Sequence, residues 1–304
     1  YELLEWRFEG VENNWYDKLC ENALISTGNN GRLERALAKL EAGENVNIAF
    51  LGGSITEGAS ASKQSECYVE QTVSNLKAMY PDADINYVNA GVSGTPSALG
   101  IMRYQRDIVG TFDDTPDILF IEFAVNDYQE CTDGRAMESL IRQALEADEK
   151  TAVCLLYSVS KSKWNVQDVS VPMGELYGLP MVSLKDGTKE AFESGALTDE
   201  EYFTDDYHPT TYGHTIMADC IKYMFTEAAK KEVPAEVSGI PDKMVKGADF
   251  DGNRLVTSKD SADAKIVCGG FDGKDSEVHS AKFNGGAVLP DNWMHTAQSG
   301  DAPF

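Results

Sequence analysis

Four short stretches carry residue types that can perform acyl transfer together: Gly52-Gly53-Ser54-Ile55-Thr56, Gly91-Val92-Ser93-Gly94, Asn126-Asp127 and Asp205-Asp206-Tyr207-His208. A serine hydroxyl is a weak nucleophile at its own pKa and needs an adjacent base. Histidine titrates nearest to neutrality and is the usual base. The chain has four: His208, His214, His279 and His295. His208 stands in a loop ahead of a long helix, and Asp205 precedes it by three residues. That carboxylate can turn back, accept the imidazole N–H and fix its tautomer, the orienting role in a Ser-His-Asp triad, which is defined by geometry and not by chain order. Acyl transfer also needs donors aimed at the developing oxyanion. The backbone N–H groups of Ser54 and Gly94 and the side-chain amide of Asn126 are the candidates. Each stretch has a plainer reading alone: a strand-to-loop turn at Ser54, a strand-end turn at Asn126-Asp127, a turn cap at Asp205. His214 is read as a helix residue that packs or caps locally.

The elements that must position these groups follow from apolar patterning. Val46–Leu51, Ile85–Ala90, Asp117–Val125, Thr151–Ser158 and Leu179–Leu184 read as strands. Helices are predicted over about 31–43, up to Tyr80, 97–109, 134–149, 166–177, 186–195 and 211–231. Strand and helix alternate from Val46 to Lys231, which argues for a parallel sheet covered on both faces. Right-handed crossovers then place every strand's carboxyl end on one rim, where open α/β folds bind ligands. Gly52–Ser54, Gly91–Gly94 and Asn126-Asp127 each follow a strand directly, so all three meet there. Three regions result: an aromatic-rich N-terminal extension over 1–30, a main domain over 31–232, and a Gly-, Asp-, Lys- and Ser-rich β appendage or partial accessory domain over 233–304.

Composition limits the partners. The 304 residues carry 26 Lys+Arg against 50 Asp+Glu, a net charge of -24. Such a chain repels phosphate backbones and anionic lipid, so no nucleic acid and no membrane surface is expected as a partner, and a neutral sugar or glycan ester is the easier substrate. No stretch approaches the roughly 20 apolar residues of a membrane span. The six cysteines form no Cys-x-x-Cys pair, so neither zinc nor dithiol redox chemistry is supported; Cys154 and Cys220 read as buried thiols. Unpaired thiols lean towards a reducing setting, whereas a start at Tyr1 leans towards processing and secretion, and the two hints conflict. The end at Pro303-Phe304 suggests that the natural chain continues.

The four stretches together resemble the SGNH hydrolase superfamily, the GDSL esterases, whose Gly-Asp-Ser, glycine, Gly-x-Asn-Asp and Asp-x-x-His blocks match Gly52–Thr56, Asn89–Gly94, Ala124–Asp127 and Asp205–His208. The resemblance spans about Val46–Lys231. It implies a flavodoxin-like three-layer α/β/α sandwich with a parallel five-stranded sheet, no metal and no cofactor. Ser54, Asp205 and His208 are then catalytic, and Ser54, Gly94 and Asn126 form the oxyanion hole. There are two departures: Gly53 stands where the family has aspartate, and Ala124 where it has glycine. A Gly-Gly-Ser-Ile-Thr block with an extra terminal module looks most like bacterial carbohydrate esterases that deacetylate plant polysaccharides. Trp164 and Asn165, in the loop after the fourth strand, are placed to line a substrate cleft. The alternatives are a lipase or thioesterase on the same triad, against which stands the lack of an apolar lid near Ala59–Ser65, and a non-catalytic glycan-binding protein. A phosphate site at the glycine turn lacks the Lys-Ser/Thr ending of a P-loop.

Overall fold

The computed structural model describes residues 14–128, 132–250, 252, 264–266 and 281–283. Tyr1, Trp6 and Phe8, Cys131 and Cys268, His279 and His295, and the apolar pieces at 255–256 and 287–289 lie outside the described residues. The backbone divides into two units, Tyr1–Arg254 and Leu255–Phe304. In the second, the described residues are two short antiparallel strands, β7 (Ala264–Ile266) and β8 (Ala281–Phe283).

The first unit is a three-layer α/β/α sandwich around one six-stranded sheet. Its helices are α1 (Asn14–Ala23), α2 (Arg32–Glu41), α3 (Ser54–Glu57), α4 (Tyr68–Met79), α5 (Ser97–Tyr104), α6 (Gly110–Phe112), α7 (Arg135–Ala147), α8 (Gln167–Tyr177), α9 (Leu184–Ser194), α10 (Asp199–Tyr202) and α11 (Thr211–Ala228). The strands are β1 (Leu24–Thr27), β2 (Asn45–Gly52), β3 (Asp84–Gly91), β4 (Ile118–Glu122), β5 (Ala152–Tyr157) and β6 (Pro180–Ser183), in the spatial order β1-β6-β5-β4-β2-β3.

Five strands are parallel, as the alternating pattern predicts, and a sixth, β1, pairs antiparallel with β6. This sixth strand comes from the stretch expected to be a patternless extension. Helix α1 and strand β1 are each short, and their apolar side chains are spaced by docking rather than by a long period. Leu19 and Ala23 of α1 seat against α9, where Gly187 leaves no room for a Cβ: one there would stand 2.7 Å from Ala23 Cβ.

Side-chain alternation along the central strands splits the core in two. Ile48, Phe50, Ile118, Phe120, Cys154 and Leu156 face one layer with α1, α2, α4 and α11. Ala49, Leu51, Leu119, Ile121, Val153 and Leu155 face the other, with α5, α7 and α8. Strands buried on both faces read as continuous apolar runs, which is why β4 and β5 carry almost no polar residue. Phe50 stacks on Phe120 at 4.9 Å and 7°, and Phe225 of α11 meets Phe120 edge-on. Truncating either buried phenylalanine would cost about 3–5 kcal/mol.

Residues 234–250 run as an irregular strap over the same unit. Ser238 N–H donates to Asn30 O, and Arg142 donates to Pro241 O. The buried carboxylate of Glu138 on α7 accepts the N–H groups of Val245 (2.7 Å), Lys246 (2.5 Å) and Gly247 (2.8 Å), and the hydroxyl of Tyr177. Burial alone would raise the Glu138 pKa; these four donors outweigh it and hold it below the usual carboxylate value.

Candidate active site

The carboxyl ends of β2 and β3 align Gly52 with Gly91. Helix α3 lies directly on these two residues. A Cβ on Gly52 would stand 2.1 Å from Thr56 Oγ1, and one on Gly91 would stand 2.0 Å from Glu57 N. No other residue type permits that approach, and it sets Ser54 at the first position of α3, on the rim. Arg103, buried under the same corner, donates to Ala90 O and Gly52 O and pairs with Asp107 at 2.9 Å.

His208 reaches this rim from 154 residues further along the chain than Ser54. The turn that carries it is closed by a bridge between Phe203 and Pro209, by Thr204 N–H donating to His208 O, and by Thr210 N–H donating to Tyr202 O. Thr210 then caps α11, its hydroxyl accepting from Gly213 N–H. His208 Nε2 lies 2.8 Å from Ser54 Oγ, and His208 Nδ1 lies 2.7 Å from Asp205 Oδ2. Asp205 Oδ1 accepts the backbone N–H groups of Tyr207 and His208, both at 2.8 Å. An ionised carboxylate on Nδ1 requires the proton there and leaves Nε2 free to accept from the serine. Partial burial would raise the Asp205 pKa; the imidazole and two backbone donors overcome this and bring it to about 2.

Of the oxyanion candidates, Asn126 touches the Ser54 turn through Gly53. Asn126 packs on Gly53, and its Oδ1 is buried without a partner among the described residues. The backbone N–H groups of Ser54 and Gly94 donate to no backbone acceptor among the described residues. Gly94 is left-handed, at φ 73°, in the exposed loop after β3. Two carboxylates tie the loops together. Asp127 Oδ1 accepts Ser97 N–H at 2.7 Å, joining the Asn126 turn to the start of α5, and Glu57 accepts both the N–H and the hydroxyl of Ser93, joining α3 to the Gly94 loop.

Several contributors escape sequence reading. Glu57 directly follows the nucleophile block, but nothing in spacing shows that it grips Ser93. Glu122, at the end of β4, is fully buried behind α3; its carboxyl accepts from Ser158 at 2.5 Å and Thr56 at 3.3 Å, and Thr56 in turn meets Tyr68 at 2.9 Å. Desolvation raises the Glu122 pKa to about 7, against the pull of its hydrogen bonds. His214 is buried but does not cap locally: its ring bonds join the distant segments around Tyr68 and Ala59, with Nδ1 accepting Tyr68 N–H and Nε2 donating to Ala59 O, and burial lowers its pKa. Trp164 is half-buried between Tyr128 and Tyr207. Asn165 is a buried turn residue, donating to Ser158 O and Gln167 Oε1.

Known proteins resemble this chain over the same region. The GDSL-like Lipase/Acylhydrolase family model matches residues 50–216, over half of the chain. The chain belongs to that family. A two-domain esterase (CEX) active on acetylated mannans is 32% identical, with a TM-score of 0.70 over 75% of this chain and 61% of the other. The same esterase with mannopentaose aligns with a TM-score of 0.66 over 73% and 60%. An acetylxylan esterase from Geobacillus stearothermophilus is 25% identical over 207 residues, 59% of this chain and 93% of the relative. The chain thus spans about six-tenths of the length of the two-domain esterase it matches.

Proposed function

We propose that this chain is a serine esterase that removes acetyl groups from acetylated plant carbohydrate through a Ser54-His208-Asp205 triad and an acyl-enzyme. The observation that carries the reading is the unbroken hydrogen-bonded line from Ser54 Oγ through the imidazole to Asp205, at 2.8 and 2.7 Å. Ser54 Oγ attacks the acetyl carbonyl while Nε2 takes its proton, and Asp205 stabilises the imidazolium. Ser54 N–H, Gly94 N–H and the Asn126 amide hold the tetrahedral oxyanion. The imidazolium protonates the departing sugar oxygen, which leaves as the free hydroxyl, and water then deacylates the enzyme by the same route. The mannan- and xylan-directed esterases among its relatives support a neutral acetylated glycan as substrate, as does the net charge of -24.

The test is acetate release from acetylated mannan and xylan by wild type and Ser54→Ala. Wild type releases acetate, and the variant, folded by circular dichroism, does not. Undiminished release by the variant ends the proposal.

A further inference from the structure

Three aromatic side chains meet beside the triad without belonging to either core. Tyr128 and Trp164 have ring centroids 4.8 Å apart at 45°, and Trp164 meets Tyr207 edge-on at 6.3 Å and 78°. Tyr128 is 58% exposed and Tyr207 45%. Tyr207 is the residue before His208, and Tyr128 follows Asn126-Asp127, so the cluster borders both the base and an oxyanion donor. Large aromatic faces left in water at a catalytic rim serve little structural purpose.

The loop that presents Trp164 is rigidly held. Ser160 N–H donates to Trp164 O, and Trp164 N–H donates to Ser160 Oγ. Lys163 adopts φ 62°, an uncommon conformation for a side-chain-bearing residue. It is kept there by its ammonium over the rings of Phe192 (3.4 Å) and Phe203 (4.6 Å) and by pairing with Asp199. Lys161 N–H donates to Asp206 O at 2.8 Å, which fixes this loop to the one carrying His208. The indole is therefore pre-organised relative to the triad, which lowers the ordering cost of binding.

We propose that Tyr128, Trp164 and Tyr207 form a stacking subsite for a neutral pyranose ring of the glycan, next to the ring whose acetyl ester is cut. The proposal rests on the glycan-esterase reading above and extends it from the reacting bond to the sugar. A pyranose has apolar C–H faces and a hydroxyl rim; tyrosine and tryptophan offer an apolar face with a polar tip. Asp205 and Asp206 in the adjoining loop, and the charge of the whole chain, disfavour a uronic acid at this position.

Binding is measured by calorimetry with acetylated manno- and xylo-oligosaccharides in the inactive Ser54→Ala background. Adding Trp164→Ala weakens binding about tenfold or more, adding Tyr128→Ala weakens it several-fold, and Trp164→Phe restores most of the affinity. In the active enzyme, Trp164→Ala raises KM for these glycans while kcat stays within about threefold. Tyr128, being well exposed, tests the subsite without endangering the fold. Unaltered affinity in both alanine variants overturns the subsite, as does a fall in kcat at constant KM, which would make Trp164 a mere support for the His208 loop. A wild type that cleaves aryl acetates but no acetylated glycan overturns the substrate assignment and the subsite with it. A wild type that deacetylates glycans while the variants bind normally overturns the subsite alone.

Discussion

Gly53 and Asn126 pack so closely that a Cβ at residue 53 would stand 2.4 Å from Asn126 Oδ1 and 2.7 Å from Nδ2. The glycine that departs from the family's Gly-Asp-Ser block thus provides the space in which the Asn126 amide sits against the residue before Ser54. Gly53→Ala should push that amide away. Since losing one oxyanion donor costs about 10²–10³ in turnover, both Gly53→Ala and Asn126→Ala should lower kcat by that order, with little change in KM. Steady-state kinetics on an aryl acetate checks this; a fully active Gly53→Ala would show that the amide is not needed there.

Asp205→Asn should lower kcat by about 10³–10⁴. The asparagine oxygen can still accept the two backbone N–H groups that Asp205 Oδ1 accepts now, so the turn survives while the imidazole loses its anionic partner. With its pKa at about 2, Asp205 stays ionised through the mildly acidic range. Its contribution to stability is complete above the ordinary carboxylate value and is lost only as pH falls through about 2. The acid limb of kcat/KM above pH 4 should therefore contain no proton taken up by Asp205. A two-proton acid limb would implicate Asp205.

Glu122 has the opposite sign. Its pKa is raised to about 7, so its contribution is intact below the ordinary glutamate value and is lost as pH rises through 7. The ionised form costs about 3 kcal/mol at alkaline pH. Glu122→Gln should accordingly gain stability relative to wild type between pH 5 and 8, read from denaturant midpoints. A constant difference across that range would mean that the carboxyl is not neutral in the fold.

Glu138→Ala removes the acceptor for three consecutive strap N–H groups. Limited proteolysis should then cut within residues 240–250 several-fold faster, before the sandwich itself unfolds. Unchanged cleavage would show that Arg135–Asp249 and Arg142–Pro241 hold the strap by themselves.

Much of this arrangement is legible in the chain because the sheet is doubly covered. The buried strands β2, β4 and β5 announce themselves as apolar runs, and parallel topology does the rest: it gathers strand ends that lie far apart in sequence. That logic places Ser54, Gly94 and Asn126 on one rim and leaves only the His208 turn to be docked against it. What stays illegible has non-local causes. Strand β1 has four residues and no period, and its place is set by the open side of β6. Glu122, Glu57 and Arg103 look like ordinary charged residues until tertiary contacts bury them or aim them at neighbouring loops. The Tyr128 and Tyr207 rings gain meaning only from Trp164, which comes from a third loop.

Cys20, Cys67, Cys154 and Cys220 are buried and unpaired. Burial raises the pKa of Cys67 and Cys154, so little thiolate is present at neutral pH. An alkylating reagent can reach these sulfurs only when the surrounding helices part. Their rate of modification is then an intrinsic clock for opening of the sandwich, readable by mass spectrometry residue by residue without introducing any label.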